Sequence, residues 1–104
     1  MLSLTIWRVK RRIRQIARRF CSRSKVFSIG ATKLNPRYLA IFITTPTDAD
    51  RDLMRASPDL VSEFRSALLA VGYPPSAVSE VSFNFESQET VDRDYNGNWW
   101  YATK

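Results

Sequence analysis

The chain has 104 residues, a formal net charge of +6, a single Cys and no His, which limits it to one domain with at most an appended element. A lone thiol closes no intrachain disulfide. Without His, neither a Ser-His-Asp nor a Cys-His nucleophile pair nor an ordinary zinc site can be assembled. Hydrophobic residues at 44% and charged residues at 25% are ordinary for a globular protein and exclude global disorder.

The charge is unevenly placed. Residues 1–25 hold nine Lys or Arg and no Asp or Glu, whereas the other 79 residues hold seven basic and ten acidic side chains. This divides the chain into a basic helical arm, 1–25, and a small α/β domain, 26–104. Such asymmetry is the footprint of contact with a polyanion or an anionic membrane.

In the arm, Leu2, Ile6, Val9, Ile13, Ile16 and Phe20 recur at spacings of three and four, which predicts an amphipathic helix over about residues 4–22. Ser3 or Thr5 is its expected cap, and Cys21 reads as a small, half-buried helix residue. Trp7, Arg8, Lys10, Arg11, Arg12, Arg14, Arg18 and Arg19 flank or oppose the apolar stripe. The start is too short for a signal peptide's apolar region and has the wrong charge order. Being Arg-rich and acid-poor, it also has the composition of a transit peptide. No run of eighteen apolar residues occurs, so no membrane span is expected.

Ser, Gly and Pro signals then break the helix through residues 22–36, with a short strand around Val26, Phe27 and Ile29. "YLAIFITT", Tyr38 to Thr45, reads as a central strand covered on both faces. Thr47 with Asp50 resembles a capping box, and Asp48, Asp50 and Asp52 suit a helix start. Ser57 and Pro58 mark a second helix, with Leu60, Val61, Phe64, Leu68 and Val71 on one face. Gly72 ends that helix, and Pro74-Pro75 is expected to prevent its resumption. "EVSFNFES" alternates as a half-buried strand. Asn96-Gly97 between aromatic flanks predicts a hairpin closed by "NWWYA"; the alternative for residues 88–94 is a helical turn capped by Ser87. The expected fold is α+β: an N-terminal helix, then a two-layer ββαββ-like domain with a mostly antiparallel sheet of three or four strands.

Like charges three and four residues apart destabilise an isolated helix by a few tenths of a kcal/mol per pair. The arm therefore needs either a sheet under its stripe or an anionic counterpart. Packing of six large apolar residues, at about 1.5–3 kcal/mol each, would outweigh the repulsion. For the functional reading the favoured counterpart is a membrane, entered by the stripe and by the Leu2–Trp7 end, with Arg8, Lys10, Arg11, Arg12, Arg14, Arg18 and Arg19 on lipid headgroups. Nucleic acid is an alternative, with the same residues neutralising phosphates. A further alternative is a basic protein partner, in the manner of an inhibitor or immunity protein. It would be met by Glu86, Glu89, Asp92, Asp94, Tyr95 and Trp100 on the C-terminal hairpin.

Asp92, Asp94 and Asn96 before Gly97 match the first half of a calcium loop, but its twelfth position is Thr103 rather than Glu. No cofactor is implied, no glycine-rich phosphate loop is present, and nothing singles out a catalytic carboxylate pair. The expectation is a non-enzymatic binding protein of the cytoplasm, working at the inner face of a membrane.

Overall fold

The computed structural model describes residues 2–30 and 35–103, with side chains for residues 4–30 and 35–103. The predicted loop positions 31–34 and the Leu2 side chain lie outside that description. In chain order the elements are α1 (Leu2–Ala17), β1 (Lys25–Ile29), a 3₁₀ turn (Pro36–Tyr38), β2 (Ala40–Thr45), α2 (Asp48–Arg55), α3 (Pro58–Ala70), α4 (Pro75–Val78), β3 (Ser82–Ser87), α5 (Gln88–Tyr95) and α6 (Trp99–Ala102).

The architecture is α+β, but the sheet has three strands in the order β1-β2-β3 and is mixed, not mostly antiparallel. β1 pairs antiparallel with β2, and β2 pairs parallel with β3. The reason is the connection: α2, α3 and α4 lie between β2 and β3, and a helical crossover returns the chain in the same direction. β2 is the central strand, as its apolar run predicts.

Register sets the two faces. Val26, Ile43 and Phe85 align across the strands, as do Ile41 and Phe83, and this face meets the helices. Phe64 of α3 packs on Phe83 and Phe85 at ring distances of 5.4 and 6.3 Å. α1 lies against α3, β1 and β2. Its Ile6, Val9, Ile13, Ile16 and Ala17 belong to the same core cluster as Ile41, Ile43, Phe64 and Leu68. The apolar stripe of α1 is thus covered by the sheet and α3 of its own chain. Ser3 and Thr5, the expected caps, lie inside α1, while Phe20 and Cys21 fall beyond its end.

On the opposite sheet face Phe27 stacks on Phe42 at 5.0 Å, and Trp99 meets Phe27 edge-on at 5.9 Å. α6 therefore covers part of this face. The expected C-terminal hairpin is absent. Ser87 caps α5 by accepting from the Thr90 N–H, and Asn96 ends it in the left-handed region at φ 52°, with Gly97 at φ 74°. Asn-Gly serves helix ends as well as hairpins because both need positive φ. Asn98 then caps α6 by accepting from the Tyr101 N–H at 3.4 Å, so "NWWYA" is helix and not strand. α3 ends before Gly72 and does not resume, and Pro75 starts the separate short helix α4, since a first helical residue needs no N–H partner. Among the described residues no helix is long and apolar enough to cross a membrane.

Candidate anionic-ligand surface

At about 3.6 residues per turn, α1 sorts its basic residues into two rows while the stripe faces the core. Trp7, Arg11, Arg14 and Arg18 form one row. The Arg18 N–H bonds the Arg14 carbonyl at 3.0 Å, so the helical path continues past Ala17. Arg8, Arg12 and Arg19 form the other row, on the side of α3, where Arg19 pairs with Glu63 and Arg12 lines a cleft with the same Glu63. Arg8, Arg11, Arg12, Arg14, Arg18 and Arg19 are exposed and Lys10 is half-buried. The Arg11 guanidinium sits over the Trp7 ring at 5.7 Å, and Trp7 itself is 54% exposed.

Among the described residues only Arg19, Arg51 and Arg93 form ion pairs. Among the same residues Arg8, Lys10, Arg11, Arg12, Arg14 and Arg18 form no ion pair, and neither do Arg23 and Lys25. Glu63 is the one acid ion-paired on this cationic surface among the described residues.

The first row runs into a groove at the β1 edge of the sheet. A cavity of about 390 Å³ is lined by Arg18, Arg23, Lys25, Thr44, Thr45, Pro46 and Gln88. It adjoins a second of about 300 Å³ through the shared Lys25, Thr44 and Gln88, and there Phe27 and Trp99 form the wall. Both volumes are in the range of small-ligand sites. Arg23, Lys25, Phe27 and Trp99 were not among the residues the sequence pointed to. A signal existed: Lys25 and Phe27 are two apart in a strand and so share a face.

The predicted acidic set does not stay together. Glu86 accepts from Arg51 Nη1 at 2.8 Å, and Glu89 accepts from the Asp48 N–H at 2.9 Å. Both are engaged at the junction of α2 and α5. Asp92, Asp94, Tyr95 and Trp100 are exposed, and Asp94 and Tyr95 border a shallow concavity of about 560 Å³ with Asn96 and Tyr101. Asp92 accepts from Gln88 at 2.8 Å and Asp94 from Arg93 at 3.2 Å. Asp92, Asp94 and Asn96 close a helix rather than coiling round a centre, and among the described residues no group of three His, Cys, Asp or Glu converges as metal ligands.

The junction itself is a closed polar network. Asp48 accepts from the Ser87 hydroxyl, from the Thr90 hydroxyl at 2.6 Å and from Arg93 Nη1 at 3.0 Å. These bonds, Ser87 first, hold its carboxyl well below the usual carboxylate range. The Thr90 hydroxyl also accepts from Arg51 and Arg93 at 2.6 and 3.1 Å, which uses its one donor and both acceptor positions. Arg51 is pushed further toward its charged form, chiefly by Glu86. Four charges and two hydroxyls here satisfy one another and join the starts of α2 and α5.

The molecule is a small α+β protein with a three-stranded mixed sheet and a cationic helix face on which, among the described residues, only Arg19 is ion-paired. The chain matches no protein-family model, no curated protein and no solved structure.

Proposed function

We propose that this protein binds nucleic acid through a cationic surface that begins on the outer face of α1 and continues round Arg18 to Arg23 and Lys25. The observation that carries this reading is that eight of these cations lack a carboxylate partner among the described residues. Uncompensated charge costs the fold stability and is recovered when phosphates neutralise it. The apolar stripe offers no surface for membrane insertion in this fold, because Ile6, Val9, Ile13 and Ile16 are buried in the core. The aromatic wall beside the cations favours nucleic acid over a flat headgroup layer, since bases stack and headgroups do not. In this reading the protein works in the cytoplasm, without catalysis.

The test is fluorescence anisotropy of a labelled oligonucleotide across a salt series. About four phosphate contacts predict a log–log slope near −3 for a single strand, and Arg11→Glu/Arg14→Glu should weaken binding at least about tenfold. No binding at low salt, or full binding by that double variant, refutes the proposal.

A membrane remains the second reading on one observation: Leu4 and Trp7 are 51% and 54% exposed at the start of α1, beside Arg8 and Arg11. That geometry suits shallow docking among anionic headgroups. Binding to anionic vesicles in preference to oligonucleotides would establish it.

A further inference from the structure

We infer that the groove at the β1 edge seats an unpaired nucleotide, its phosphate held by Arg18, Arg23 and Lys25 and its base placed against Phe27 and Trp99. This rests on the nucleic-acid reading of the α1 surface and names the form of nucleic acid: single-stranded.

The two halves of the groove are chemically distinct and continuous. No carboxylate lines either cavity, and the cationic half presents three basic side chains to one volume of about 390 Å³. Arg18 is fixed by its Nε, which donates to the Ser24 carbonyl at 3.0 Å. That bond leaves the outer edge of its guanidinium for an anion, the geometry in which Arg meets phosphate best. Arg23 and Lys25 are exposed, so they can swing onto the same group.

The aromatic half is held in place before any ligand arrives. Trp99 Nε1 donates to Gln88 Oε1 at 2.9 Å, and Gln88 is itself held by Asp92 at 2.8 Å. Phe27 is backed by Phe42, stacked with its plane within 4°, and Trp99 stands at 82° to it. The pair forms a rigid corner, and a preorganised aromatic surface loses little entropy on stacking with a base. Lys25 belongs to both cavities, so one phosphate and its attached nucleoside would span them.

A paired base is already stacked in its own helix, and its edges are occupied. A duplex therefore reaches the arginines but not the corner. The groove makes single strands better ligands than duplexes of equal charge.

The experiment uses the full chain, a labelled oligothymidylate of about ten nucleotides and a blunt duplex of the same length. The single strand should bind at least about tenfold more tightly. Trp99→Leu should lower single-strand affinity about 5- to 150-fold, the range for losing one base–aromatic stack, and leave duplex affinity within about twofold. Trp99→Phe keeps an aromatic wall and should retain most of the binding, which controls for a folding defect. Arg23→Glu/Lys25→Glu, both exposed, should weaken the single strand about tenfold or more. Equal loss on strand and duplex, or no loss with Trp99→Leu, overturns the groove. If Arg11→Glu/Arg14→Glu weakens both probes while Trp99→Leu weakens neither, the groove alone fails. If both probes ignore the α1 reversal, the parent reading fails. Binding to anionic vesicles with neither probe bound overturns both.

Discussion

Two charged regions of this molecule are built on opposite rules. At the α2–α5 junction, Arg51 and Arg93 meet Asp48 and Glu86, and hydroxyls from Ser87 and Thr90 fill the gaps. On the outer face of α1, cations follow one another at helical spacing with Glu63 the one acid paired to them among the described residues. The junction charges bind elements of the fold together. Apart from Arg19 on Glu63 and Arg18 on the Ser24 carbonyl, the α1 charges do not, since that helix is held by the ridge beneath them. In the proposed function the junction charges serve the fold, and the α1 cations without a carboxylate await a partner. The amphipathicity of α1 is explained by the sheet and α3 beneath it, so the proposed function rests on its arginines alone.

The largest expected effect tests what holds α1. Ile13 is fully buried in the shared core, so Ile13→Ala should cost about 2–5 kcal/mol of global stability, read from a chemical denaturation midpoint. An unchanged midpoint would mean that α1 is held as a separate arm, and the contrast between inner ridge and outer charge would lose its basis.

The elements with a clear period were legible in the sequence: the α1 stripe, the β2 run, the β3 alternation and the Thr47 start of α2. What the stripe packs against was not, because a 3.6-residue repeat reports an apolar face and not its partner. Strand direction was not legible, because a long helical connection between β2 and β3 permits a parallel pair without requiring one. The C-terminus was legible in part: the helical turn capped by Ser87 is present as α5, but the hairpin signal failed because positive φ at Asn96 and Gly97 satisfies a helix end as readily as a tight turn. The α2–α5 network had no local signature at all. Asp48 and Arg93 are far apart in sequence, and only the tertiary fold brings them to 3.0 Å. The groove was half visible, with Lys25 and Phe27 alternating in β1 but Trp99 delivered by a helix read as a strand.

A smaller effect tests the paired region by pH. Because the folded state holds the Asp48 carboxyl well below its ordinary value, it binds fewer protons there than the unfolded chain does. Its contribution is complete above the ordinary Asp value of about 3.9 and is lost as pH falls below it toward the folded value. The denaturation midpoint should therefore drop on acidification below about pH 4. Asp48→Asn should start lower at neutral pH and fall less steeply. Parallel profiles for the two proteins would show that the acid limb belongs to other carboxylates.

The smallest effect is the most telling about α1. Arg14 stands four residues from Lys10 and from Arg18 and three from Arg11, so three like-charge neighbours press on it. Gln has nearly the helix propensity of Arg, and Arg14→Gln removes three repulsions worth a few tenths of a kcal/mol each. The variant should be more stable than the parent by about 0.5 kcal/mol at low salt. The gain should fade near 1 M salt, where screening acts within about 3 Å. The same variant should bind an oligonucleotide a few-fold more weakly. A residue whose removal strengthens the fold and weakens binding is retained at a cost in stability for the sake of a ligand. If Arg14→Gln instead destabilises the protein, Arg14 contributes to holding the fold, and the rule that separates the two charged regions fails at its centre.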